Sequence, residues 1–177
     1  MNQAPSKIII TYASAGAGHL KAAEAIHQYL KDRKIGAEIH LVDILDKTIH
    51  FFRISYIRGY SLLINHATFL WRFFFWLTAL KPLRKITRTI AILNNRLNTF
   101  EFANFLCQKN PDVIISTHFL PSEVAAYLKF KKRIDSKVIT VITDFGVHPF
   151  WICPGTDKYI VASNYTKSIL ISEGVDA

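Results

Sequence analysis

The sequence predicts an α/β fold, a Rossmann-like doubly wound parallel sheet. Three observations predict it. Short β-branched runs alternate with helical stretches along the chain. A glycine-rich turn joins the first such run directly to the first helix. The chain has 177 residues, 50% of them hydrophobic, with a mean hydropathy of +0.18, enough for one full-sized core and too apolar for disorder.

Taken in order, Lys7 to Ala13 reads as a buried strand and His19 to Lys34 as a helix with apolar residues at helical spacing, stopped by Gly36. Ala37 to Asp43 reads as the second strand, Pro111 to Thr117 as the third and Lys137 to Thr143 as the fourth. Ser122 with Glu123 predicts a helix start after the third strand. Lys158 to Ala162 is the fifth strand and leads into a helix from Asn164 to Glu173. In such sheets ligands gather at the carboxyl ends of the strands. Those ends carry Ser14 to His19, Asp43, Thr117 with His118, and Thr143 with Asp144. Residues 1–177 are read as one domain.

The stretch from about 47 to 100 departs from the pattern. Between Asp46 and Glu101 there is no acidic residue, while Arg72, Arg84 and Lys85 are among the cations set beside Trp71, Phe74 and Trp76. Ser61 to Leu80 approaches the roughly 20 apolar residues that span a bilayer, but a central Arg72 makes a span costly. An amphipathic element lying in the membrane interface fits better, its tryptophans at headgroup depth and its cations on lipid phosphates. The competing reading is a helical hairpin packed on the sheet with solvated arginines.

Net charge is +9, from 22 basic and 13 acidic residues. Anionic partners follow, anionic membrane lipids ahead of nucleic acid. Cys107 and Cys153 have no metal-ligand spacing, so free or buried thiols are expected, and no metal. The N-terminus shows no signal-peptide pattern, which places the protein on the cytoplasmic side, peripheral to the membrane.

Ser14-Ala15-Gly16-Ala17-Gly18-His19 brings backbone N–H groups and a positive helix end to one point, which suits phosphate or a developing negative charge. Lys21 stands where a dinucleotide fingerprint needs its third small residue, so a nicotinamide site is a weak reading despite Asp43. A tight turn alone would explain Gly16 and Gly18 but not His19. In the first helical turn the dipole disfavours imidazolium, and a neutral imidazole is what a general base requires. The loop Thr143-Asp144-Phe145-Gly146-Val147-His148-Pro149-Phe150-Trp151 sets a carboxylate, a histidine and bulky aromatics after the fourth strand, either to contact a ligand or to cap and seal the core. His118 is the residue of the third strand's loop that would face a cleft.

The glycine segment followed by Ala22-Ala23-Glu24-Ala25-Ile26 resembles the opening motif of the monogalactosyldiacylglycerol synthase and processive diacylglycerol glucosyltransferase family. The Thr143 to Trp151 loop with Pro154-Gly155 is similar to a second signature, and Ile115 to Phe119 to a third, where family members often carry proline at the position of Phe119. The resemblance implies the acceptor half of a two-domain, GT-B type, inverting glycosyltransferase that moves a hexose from a UDP-sugar to the hydroxyl of diacylglycerol. It implies His19 as the base and Trp151 on the acceptor or anionic-lipid side, with Asp144 and His148 as cleft residues; the position of His118 after a strand makes it a further acceptor-binding candidate. It also implies a donor-binding domain that these 177 residues do not match, separately encoded or elsewhere in a longer chain, so the chain by itself is expected to turn over negligibly. No cofactor beyond the UDP-sugar substrate is expected. The competing function is a non-catalytic membrane-binding module.

Overall fold

A computed structural model describes residues 6–79 and 81–176, with the side chains at 64, 71, 72, 74–76, 79, 81, 83–85 and 88 outside the description. The sheet has five strands: β1 (Lys7–Tyr12), β2 (Glu38–Asp43), β3 (Val113–Ser116), β4 (Lys137–Ile142) and β5 (Lys158–Val161), in the order β2-β1-β3-β4-β5. Every pairing is parallel, with Ile8 opposite both Ile39 and Val113, and Ile114 opposite Val138. The expected doubly wound sheet is what forms.

Period-two alternation divides the core between the two faces. Ile8 and Ile10 pack with Ala23, Ile26 and Leu30 of α1 (Ala17–Asp32). Ile9, Ile114 and Val138 point the other way, onto Phe102 and Leu106 of α5 (Phe100–Lys109) and Val124 and Leu128 of α6 (Phe119–Phe130). Because the chain leaves β1 toward β2 and returns to β3 on its other side, the order reverses between β1 and β3. The crevice at that reversal is where an open α/β sheet receives a ligand.

Between β2 and α5 the chain forms three α-helices: α2 (His50–His66), α3 (Thr68–Ala79) and α4 (Lys81–Asn98). Ser61 to Leu80 is therefore not a single helix; Ala67, at φ −140° and ψ 44°, breaks it. Among the described residues no helix is long and apolar enough to cross a membrane. α2 belongs to the domain core, for Phe52, Tyr56, Ile57 and Tyr60 pack against it. The backbones of Trp71, Phe74 and Trp76 run in α3 and those of Arg72, Arg84 and Lys85 in α3 and α4; their side chains lie outside the described residues. α4 presents Ile86, Ile90, Leu93 and Leu97 to solvent, 58–65% exposed.

The predicted start of α6 is corrected. His118, not Ser122, is the N-cap: its Nδ1 accepts the Leu120 N–H at 3.1 Å. Ser122 lies a turn inside, buried, and its hydroxyl bonds Thr140. α7 (Asn164–Ser172) is capped by Ser163, which accepts from Thr166 N–H.

Candidate active site

Strand ends build the site. After β1 the chain turns at Gly16, whose φ of 103° is a backbone state open to glycine, and enters α1 with His19 in its first turn. Asp43, at the end of β2, steadies this turn: its Oδ1 accepts the Ser14 N–H at 3.3 Å and the Leu45 N–H at 2.9 Å. A structural duty of this kind removes the motive for reading Asp43 as a ribose-binding acid. Gly18 has open space where a side chain would stand, whereas a Cβ on Gly16 would meet the Tyr60 hydroxyl at 3.0 Å.

A cavity of about 390 Å³ lies over the strand ends. His19, His118, Asp144, His148 and Trp151, all singled out from sequence, line it. Their elements differ (α1, the β3–α6 junction and the β4–β5 loop), so it is the parallel sheet that brings them together. His19 and His118 stand edge to face with ring centroids 4.5 Å apart, and His19 is 6.2 Å from the Trp151 ring.

The contacts of His19 define its tautomer. Its Nδ1 lies 2.8 Å from the Thr117 carbonyl oxygen and 2.7 Å from the Thr143 hydroxyl. A carbonyl oxygen only accepts, so Nδ1 carries the proton and Nε2 keeps its lone pair. The Thr117 hydroxyl also donates to the His19 carbonyl oxygen at 2.8 Å, tying the first turn of α1 to the end of β3. This arrangement presents a basic nitrogen rather than a donor.

His118 is 3% exposed, and burial, then the neighbouring His19, pushes its pKa well below the ordinary imidazole value. Since its Nδ1 accepts from backbone, the neutral ring carries its proton on Nε2. His148 repeats the device. Its Nδ1 accepts the Phe150 N–H at 3.3 Å, and Nε2–H donates to Thr78 Oγ1 of α3 at 3.1 Å.

Asp144, exposed at the mouth, accepts the Trp151 indole N–H at 2.9 Å. Trp151 itself is fully buried against Ile142 and Leu170, so it shapes the cavity floor and serves the core at once. Phe119 stands at the first position of α6, where proline fits because that N–H has no helical acceptor; here its ring lies 4.3 Å from His118 and 6.0 Å from Trp151.

Sequence reasoning missed the second wall. Tyr56, Tyr60 and Leu63 of α2 and Thr78 of α3 also line the cavity. Burial, then Tyr60 and Glu123, raises the Tyr56 phenol pKa, and burial followed by Asp144 raises that of Tyr60. The signal was present: Phe52, Tyr56 and Tyr60 recur every four residues and so share one helix face.

Fold and cleft together define a Rossmann-like domain with a histidine-lined cavity at the topological switch point. More narrowly, the chain belongs to the monogalactosyldiacylglycerol (MGDG) synthase family, whose pattern it matches over residues 19–177. It is similar to the processive diacylglycerol beta-glucosyltransferases of Bacillus cereus (strain B4264), with 27% identity over 176 residues, and Bacillus mycoides (strain KBAB4), with 29% over 180. That of Bacillus thuringiensis (strain Al Hakam) is 28% identical over 179 residues. In each case 97% of this chain is covered and 42% of the relative, so the chain spans well under half the length of the relatives it matches.

Proposed function

We propose that this domain is the acceptor-binding half of an inverting glycosyltransferase that moves a hexose from a UDP-sugar to the hydroxyl of diacylglycerol. The observation that carries the reading is that His19, its Nδ1 held by the Thr117 carbonyl, lines a cavity also walled by Tyr56, Leu63, Phe119 and Phe150, apolar enough for a lipid glycerol end. His19 takes the hydroxyl proton as the oxygen attacks the anomeric carbon. The C1–O bond to the diphosphate breaks on the opposite face, UDP leaves with the electron pair, and configuration inverts. A donor-binding half, in a longer chain or on a separate one, holds the UDP-sugar and stabilises the leaving charge. The acid-free helices dock the domain peripherally on anionic lipid at the cytoplasmic face, which brings the mouth of the cavity to its acceptor.

The exposed apolar row on α4 also fits a membrane-binding module without catalysis, and one experiment separates the two. Supplied with the donor half of a relative, UDP-glucose and diacylglycerol vesicles, the chain forms glucosyldiacylglycerol. His19→Ala lowers transfer at least about a hundredfold while vesicle binding persists. Transfer that survives the substitution removes His19 from the role of base, and vesicle binding without any transfer leaves the module.

A further inference from the structure

We infer that Thr143 is a positioning residue for His19. Together with the Thr117 carbonyl it forms an uncharged clamp that holds the imidazole in its Nε2-basic form. Histidine bases are commonly oriented by a carboxylate on the other ring nitrogen. No carboxylate contacts Nδ1 among the described residues. Two oxygens from adjacent strand ends take its place, the Thr117 carbonyl at 2.8 Å and the Thr143 hydroxyl at 2.7 Å. The same Thr143 hydroxyl reaches the Thr117 carbonyl at 3.4 Å, so it donates there while accepting from Nδ1–H. Were the proton on Nε2 instead, the Nδ1 lone pair would face the carbonyl lone pairs at 2.8 Å, an arrangement the carbonyl penalises.

The carbonyl alone is a single tether, from which the ring can swing and exchange its proton. Thr143, the residue after β4, adds a second point in a different direction and fixes the ring plane. Thr117 holds the backbone of the same residue through its hydroxyl, so α1, β3 and β4 meet at one imidazole. The clamp is neutral, and it positions the base without placing an anion beside the site where a diphosphate must leave. That purpose rests on the glycosyltransfer reading; the clamp does not.

The test is a two-bond proton–nitrogen NMR spectrum of the ¹⁵N-histidine-labelled 177-residue chain in neutral detergent at pH 8, with the His19 ring assigned by difference against His19→Gln. Wild type shows Nδ1 protonated and Nε2 bare. In Thr143→Val the His19 ring averages between tautomers and its Nδ1–H signal is lost to solvent exchange, while the histidines outside the cavity keep their shifts. Thr143→Ser restores the wild-type pattern. An unchanged His19 pattern in Thr143→Val, or a wild-type ring protonated on Nε2, overturns the inference. Should valine disturb β4, Thr143→Ala reads the same loss, and the wild-type tautomer decides on its own. In the enzyme completed with a donor half, Thr143→Val lowers kcat about tenfold or more with KM for UDP-glucose within about twofold. A clamp intact by NMR with no transfer under any condition sinks the functional reading and leaves the inference standing.

Discussion

His118 shows how one residue serves fold and site together. Its ring closes the cavity beside His19 and its Nδ1 caps α6, so protonation at Nδ1 would break the cap as well as bury a charge. Burial lowers its pKa, so the unfolded chain binds the proton more readily than the folded one. The contribution of His118 to stability is therefore whole above about pH 6.5 and falls at lower pH, by about 1.4 kcal/mol per pH unit while one proton separates the states. Urea midpoints measured between pH 7 and 5 should drop with this slope. His118→Asn, which keeps a capping side chain, should be less stable at pH 7 but lose one proton's worth of the slope; an unaltered slope would show that the titration belongs elsewhere. His118 was legible in the sequence as a cleft residue because it ends a strand. Its capping role was not, since Ser122 is the more ordinary N-cap and only the register of α6 shows that it lies too far along the chain.

At the level of elements, every strand could be read to within two residues at each end, because a parallel strand is a short, continuous β-branched run and little else looks like it. The helices between β2 and α5 could not: Pro82 in the first turn of α4 marks one boundary, but the run before it carries no proline or glycine at the break between α2 and α3. Ala67 breaks it by conformation, not by residue type. The spacing of Phe52, Tyr56 and Tyr60 marks an aromatic face on α2, but that this face walls the cavity depends on how the helix lies across the strand ends. Two glycines illustrate what local geometry adds. Gly155 has φ 100°, and a Cβ there would sit 2.3 Å from the Ala126 carbonyl oxygen, where the β4–β5 loop crosses the backbone of α6. Gly155→Ala should lower stability by more than about 2 kcal/mol, seen as a large fall in melting temperature. Gly18, helical and open, should behave oppositely: Gly18→Ala gains about 0.5–1 kcal/mol from helix propensity. If a ligand approaches the α1 amides, as the glycine-rich turn suits, the same substitution lowers transfer although the protein is more stable, and a gain in stability with full activity would place the ligand elsewhere.

For the molecule as a whole, charge and apolar surface must be considered together. The basic stretch accounts for attraction to any polyanion, so a net charge of +9 does not by itself distinguish lipid from nucleic acid. The proposed lipid docking rests instead on the exposed row on α4, where Ile86, Ile90, Leu93 and Leu97 recur at helical spacing on one face, and on Phe69 of α3, which is 77% exposed. Each such side chain inserted into the acyl boundary contributes about 1.5–3 kcal/mol, whereas a phosphate backbone offers it nothing. Binding to vesicles should therefore have two separable parts, a salt-sensitive one from the cations and a salt-resistant one from the apolar row. The double substitution Ile90→Asp with Leu93→Asp removes the second part. Because both side chains already face solvent, the thermal midpoint should move little, while partition onto anionic vesicles at 0.5 M salt falls at least about a hundredfold. Binding that is abolished by salt in the unaltered protein, or that survives the double substitution at high salt, would mean that α4 does not enter the lipid and that the mouth of the cavity meets its acceptor by another face.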